Sequence, residues 1–173
     1  RQDPEVMMVG EIRSMETAEI ALRSSITGHL IFSTLHTTDS PSAIIRLMDM
    51  GIEPYMLSAG IIGVISQRLV RRLCDHCKKE VYRKDDHFHI DGPTYEAAGC
   101  EHCFEGYIGR EAVFEIMAMN EKVRDLIKPG VTLDALRDAA VISGMIPLKE
   151  ALREKILAGT ISLDEAYRTI MTM

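Results

Sequence analysis

Four cysteines, the only ones in the 173-residue chain, stand in two matching pairs: Cys74-Asp75-His76-Cys77 and Cys100-Glu101-His102-Cys103. Each pair has C-x2-C spacing, and 22 residues (78–99) separate the pairs. That is close to the spacing of a structural zinc site, where four thiolates close a tetrahedron at about 2.3 Å per bond. Two disulfides, or four separate buried thiols, are the alternatives. A four-thiolate site keeps no open coordination position, so the metal would hold structure and do no chemistry. His76 and His102 each lie directly beside a cysteine in a tight knuckle, where adjacent side chains diverge. Neither is expected to be a ligand.

Composition narrows the classes. Apolar residues make up 46% of the chain, enough for a real core. A net charge of −6 argues against bulk polyanion binding, and 5% aromatics with no Trp argue against a base-stacking platform, so no nucleic-acid partner is expected. The longest apolar run, Met56 to Ile65, is broken by Ser58, Gly60 and Gly63 and is too short to span a bilayer. No signal peptide is recognisable. Paired cysteines read as metal ligands imply a reducing compartment, hence the cytoplasm. The chain opens on Arg1-Gln2-Asp3-Pro4 and runs almost at once into a strand pattern, which reads as the C-terminal piece of something longer.

Three segments are expected: 1–72, 73–110 and 111–173. In the first, Val6-Met7-Met8-Val9 is a continuous apolar run, the pattern of a strand buried on both faces. Met15 to Ser25 has helical periodicity, and Leu30 to Leu35 reads as a second strand. Ser40-Pro41 opens a helix stopped by Gly51, and Pro54 opens another. Gly63 to Val70 is a strand or a helix, its Val-Ile and Leu-Val pairs leaning to strand. Strand-helix-strand order points to a parallel α/β sheet. The second segment is the cysteine insert. Its basic run, Lys78, Lys79, Arg83 and Lys84, reads as a solvated surface loop, and Asp91-Gly92-Pro93 as a turn. The third segment reads as mostly helical: 121–127, a helix capped by Thr132, then 146–157 and 162–171, with Ser162-x-x-Glu165 as a capping box.

Two strand tips carry the candidate chemistry. The first strand ends in Gly10-Glu11, and parallel sheets form their ligand crevice at such C-terminal ends. A carboxylate there can hold a Mg²⁺-bound water or orient a water toward a γ-phosphate, with Gly10 permitting close approach. A surface Glu paired with Arg13 is the plainer reading. The second strand ends Ser33-Thr34-Leu35-His36-Thr37-Thr38. If the strands are neighbours, Glu11 and His36 share one edge, and His36 could donate to a phosphate oxygen or a polarised water. A satisfied structural histidine is the alternative.

Asp3-Pro4-Glu5-Val6-Met7-Met8-Val9-Gly10-Glu11-Ile12-Arg13 resembles the Walker B segment of the secretion ATPase superfamily. The stretch from Thr27 to Thr37 (TGHLIFSTLHT) resembles its histidine box. The cysteine insert followed by Gly106-Tyr107-Ile108-Gly109-Arg110 resembles the subgroup that powers type II secretion and type IV pilus assembly; retraction ATPases lack that insert. The resemblance covers nearly the whole chain. It implies an α/β fold: the C-terminal part of a RecA-like P-loop ATPase domain (1–72), a four-cysteine zinc insert (73–110) and a C-terminal helical subdomain (111–173). It implies a hexameric motor that uses ATP and Mg²⁺, works with the inner-membrane platform and cytoplasmic components of the machinery, and sits in the cytoplasm at the inner membrane. Glu11 matches the Walker B glutamate, and His36 the γ-phosphate-contacting histidine. Gly10 belongs with them at the nucleotide. Arg110 resembles an arginine near the subunit interface that reaches a neighbour's nucleotide. Cys74, Cys77, Cys100 and Cys103 match the zinc ligands.

Two departures stand out. The family usually follows GEIR with Asp, where this chain has Ser14. No G-x4-G-K-[ST] phosphate cradle occurs in the 173 residues. The chain is therefore expected to form one wall of an ATP site and not to hydrolyse ATP alone. A non-enzymatic, zinc-stapled interaction module is the alternative reading.

Overall fold

The computed structural model describes residues 4–171. Its elements, in chain order, are β1 (Val6–Val9), α1 (Met15–Ile26), β2 (Leu30–Ser33), α2 (Ser40–Asp49), α3 (Pro54–Gly60), β3 (Gly63–Leu73), β4 (Lys79–Asp85), β5 (Ile90–Glu96), β6 (Tyr107–Ala118), α4 (Glu121–Arg124), α5 (Leu133–Ile142), α6 (Leu148–Leu157) and α7 (Leu163–Met171). The chain divides into two packed units. Residues 1–65 with 116–145 form one, and 66–115 with 146–173 form the other. This division follows packing and cuts across the three motif-based segments.

In the first unit β1 and β2 pair in parallel, Val6 opposite Leu30 through Val9 opposite Ser33. The helix starts follow from local chemistry. Ser14 accepts the Thr17 N–H (3.3 Å) and caps α1. The cap role needs only a short side-chain oxygen, which Ser and Asp supply equally well. Asp39 accepts the Ser42 N–H (2.8 Å) above α2, whose first turn holds Pro41, and Thr132 caps α5. The core gathers Leu22, Ile44, Leu47, Leu57, Met117, Val123 and Leu136. β1 is not buried on both faces as its apolar run suggests. Val6, Met8, Leu30 and Phe32 are exposed, because β2 is the only strand paired with β1 among the described residues.

In the second unit the segment read as a basic loop is a hairpin. β4 and β5 pair antiparallel from Lys79 opposite Glu96 to Asp85 opposite Ile90. The turn is not Asp91-Gly92-Pro93, which lies inside β5, but 86–89, where Asp85 accepts the Phe88 N–H (2.7 Å) and His89 takes a positive φ of 51°. Burial decides the register: Phe88 and Ile90 enter a core with Val70, Val113, Leu152 and Ile156. Residues 111–118, expected in a helical segment, extend β6, and β3 confirms the strand reading of 63–70. Helix α6 starts at Leu148 because Pro147 holds the preceding position in extended backbone. The capping box at α7 is half present. Ser162 Oγ accepts the Glu165 N–H (3.2 Å), but the Glu165 carboxylate turns to Arg71, taking its backbone N–H (2.9 Å) and its Nε–H (2.8 Å).

Candidate functional site

Parallel pairing brings the two strand tips together. His36 Nε2 lies 2.8 Å from Glu11 Oε1, and the Arg13 guanidinium lies 2.6 Å from Glu11 Oε2. The Glu11 side chain is 23% exposed and His36 89%, so the pair opens to solvent from the carboxylate outward. Two further contacts lock the tips: Thr34 Oγ1–H donates to the Gly10 carbonyl (2.7 Å) and the Ile12 N–H to the Thr34 carbonyl (3.0 Å). Thr34 thus fixes the peptide that carries Glu11, a role its position two residues before His36 did not single out. A Cβ on Gly10 would meet nothing within 4 Å, so the chain's own atoms leave free space beside the carboxylate. One carboxylate beside open space fits Mg²⁺, which takes one or two carboxylates and fills its remaining positions with water and phosphate oxygens; the imidazole is not one of its usual ligands and is placed to hydrogen-bond instead.

The four cysteines converge in the second unit. Sγ separations are 3.9 Å for Cys74–Cys100, 3.7 Å for Cys77–Cys103 and 3.6 Å for Cys100–Cys103, and all four sulfurs lie within 4.8 Å of one another. A tetrahedron with metal–sulfur bonds of about 2.3 Å has edges of about 3.8 Å. No pair is at disulfide distance, and the thiols are free. Each knuckle is a tight turn in which the second Cys N–H donates to the carbonyl of the first (3.3 Å in both). The Cys100 N–H also donates to Cys103 Sγ (3.3 Å). Burial pushes the Cys103 thiol up, but this N–H and the neighbouring thiols outweigh it and bring the thiol down to about 7. The cluster can hold a metal ion. His76 and His102 stand outside the four-sulfur group, their rings 5.0 Å apart.

The knuckles are tied to the helices beside them. The Leu73 N–H donates to the Thr160 carbonyl (2.8 Å), Lys78 Nζ to the Gly159 carbonyl (3.0 Å), and Tyr107 shares a hydrogen bond with Ser162 (2.9 Å). Lys78, expected on a loop, is thus a fastener. Arg110 lies on β6 in an exposed groove with Arg71, Phe104, Tyr107 and Gly109.

The family model described as type II/IV secretion system protein matches residues 1–168. The chain belongs to that family. It is 43% identical over 169 residues to the type II secretion system protein HxcR of Pseudomonas aeruginosa, covering 97% of this chain and 34% of that protein. It is 44% identical over 181 residues to the type IV pilus assembly ATPase PilB of Thermus thermophilus, covering 98% of this chain and 20% of that protein. Among solved structures, the pilus retraction motor PilT with bound ADP superposes with a TM-score of 0.68 at 27% identity, over 97% of this chain and 40% of that one. The chain therefore spans 34% and 20% of the length of these two curated relatives, and its α/β fold matches part of the retraction motor's structure.

Proposed function

We propose that this chain supplies one wall of the ATP site in a hexameric motor that drives type IV pilus assembly or type II secretion. The observation that carries the reading is the Glu11–His36 contact at the C-terminal tips of two adjacent parallel strands. In-line attack of water on a γ-phosphate needs positioning and charge more than covalent chemistry. Glu11 orients the water or holds a Mg²⁺-bound one, His36 donates to a γ-phosphate oxygen, and Thr34 keeps the two tips in register. Mg²⁺, when bound with ATP, supplies the positive charge that offsets charge developing on the phosphate. Gly10 leaves room for the nucleotide, and Arg110 supplies a cation toward a neighbouring subunit. The four cysteines hold a structural zinc, in line with their sulfur spacing and all-thiolate donor set. Work at the cytoplasmic side of the inner membrane, against a membrane platform, completes the reading.

The phosphate cradle is missing from the sequence, so the 173 residues should not turn over ATP by themselves. Steady-state phosphate release tests this. The chain alone should give none with Mg²⁺-ATP, and the same chain joined to a preceding P-loop segment should give turnover. Turnover by the chain alone, lost on Glu11→Gln, would require a cradle built from other residues.

A further inference from the structure

The His36 ring is largely open to solvent, so packing does not place it. The backbone on either side must do so. On the strand side the hold is firm: Leu35 packs against the core of the first unit, and Thr34 is bonded to Gly10 and Ile12. On the helix side the chain is pinned at Asp39, with only Thr37 and Thr38 between it and His36. The Asp39 carboxylate is shared between two helices. Its Oδ1 accepts the Ser42 N–H (2.8 Å) and caps α2, while its Oδ2 accepts from Arg137 Nη2–H on α5 (2.8 Å). Thr37 Oγ1–H donates to the Asp39 carbonyl (3.3 Å), which ties the short link to the same point. Arg137 is itself held. Its Nη1–H donates to Asp134 Oδ1 (3.0 Å), and the neighbouring Leu136 and Ala140 of α5 enter one core with Ile44 and Leu47 of α2. The Asp39 and Arg137 side chains are 22% and 38% exposed, and a pair this open adds only modestly to stability. What it supplies is a fixed place for the start of α2.

We propose that Arg137 is a positioning residue of the ATP site: through Asp39 it sets where the His36 imidazole meets the γ-phosphate of a bound nucleoside triphosphate. The inference rests on the ATP-site reading of Glu11 and His36, and it adds α5 to that site. A shift of about 1 Å at a reacting group can cost on the order of 10²-fold in rate, so a tie two residues from His36 acts on turnover more than on folding. Arginine suits the task. Its planar fork reaches Asp39 and Asp134 at once, whereas lysine offers a single point charge on a flexible stem. The two ends of the tie are 98 residues apart in the chain, and no motif joins them.

ATPase kinetics of a protein that carries this chain together with its P-loop segment test the inference, with nucleotide binding measured beside them. Arg137→Ala keeps a strong helix former in α5 and should lower kcat at least about tenfold. ADP affinity should stay within about twofold, because ADP has no γ-phosphate for His36 to meet. Asp39→Asn should reproduce the loss. Asparagine caps a helix as well as aspartate does, but it carries no charge to hold Arg137. In a His36→Ala background, Arg137→Ala should cost less than about a further twofold, since nothing is left to position. Full activity in Arg137→Ala or in Asp39→Asn, with activity lost in His36→Ala, would overturn the inference and leave the ATP-site reading standing. Losses that multiply in the double variant, or ADP affinity that falls together with kcat, would make Arg137 a brace of the fold and overturn it too. Full activity in His36→Ala would remove the role of His36, and the inference with it.

Discussion

His36 takes one oxygen of the Glu11 carboxylate and Arg13 the other, so a ligand that needs Glu11 must displace at least one of them. Both partners are exposed, and exposed pairs of this kind contribute roughly 0.2–1 kcal/mol. Displacement is therefore easy, and Arg13→Ala should leave urea stability within about 0.5 kcal/mol of the parent. The opposite case is Arg71. It neutralises Glu165, which is fully buried, and removing one partner of such a pair costs about 3 kcal/mol even when other donors remain. Arg71→Met should show that loss in urea unfolding, and Arg71→Lys should recover little of it, because a lysine cannot set two planar donors on Glu165 Oε2 as Nε and Nη2 do. Asp39 sets a pH dependence. Burial pushes its carboxyl up, but Ser42 and Arg137 outweigh burial and hold it below its ordinary value of 3.8. A lowered folded pKa gives stability that is fully present above the ordinary value and lost as pH falls through the folded one. The melting-temperature gap between the protein and Asp39→Asn should be constant near neutral pH and close as pH drops below about 4. At the knuckles, replacing His76 and His102 by Asn should leave metal content per chain unchanged, since the four sulfurs already form a closed set. A fall in metal content would make the site a mixed one. Thr132 as a cap was legible in the sequence, whereas Ser14 stood out there only as a departure from the family pattern and proves to be the cap of α1. Arg71–Glu165 was not legible, because 94 residues separate the partners and no pattern links them.

At the scale of elements, the hairpin of β4 and β5 shows what pattern reading misses. Asp91-Gly92-Pro93 has turn residues, yet Phe88 and Ile90 must both reach the core, and that places the turn at 86–89. Pro93 is tolerated because it stands in a two-stranded ribbon, at an edge. Helices with strong caps and an apolar stripe, α1, α2 and α5, appeared close to where the sequence put them. The join between α6 and α7 is tightly constrained. Gly159 has φ 66°, and a Cβ there would lie 2.6 Å from the Tyr95 ring. Gly159→Ala therefore combines backbone strain with a clash, and should lower stability by about 1–3 kcal/mol. Because Lys78 and Leu73 bond this same join, the metal cluster and α7 should loosen together. Stripping the metal with a thiol-competitive chelator should speed amide exchange across 157–171 as well as 73–106. Exchange confined to 73–106 would mean that the fasteners are dispensable.

At the scale of the molecule, each unit is assembled from two distant stretches of chain, with breaks at 65, 115 and 145. Sequence reading divides a chain linearly, so motif boundaries at 72 and 110 could not express a division that cuts β3 near its start and β6 near its end. The parallel pairing of β1 with β2 was expected from strand-helix-strand order, and so was the convergence of both tips. The exposure of that sheet's apolar face was not, because an apolar run reports what a strand can bury and not what lies against it. The central claim is that Glu11 belongs to an ATP-hydrolysing centre. Steady-state ATPase kinetics of Glu11→Gln, in a protein that carries this chain together with its P-loop segment, test it most directly. Loss of one charge from the water or metal shell should lower kcat by about 10²-fold or more, equivalent to about 3 kcal/mol, with ATP affinity held within a few-fold. An unchanged kcat, or a loss of ATP binding that accounts for the whole defect, would contradict the account.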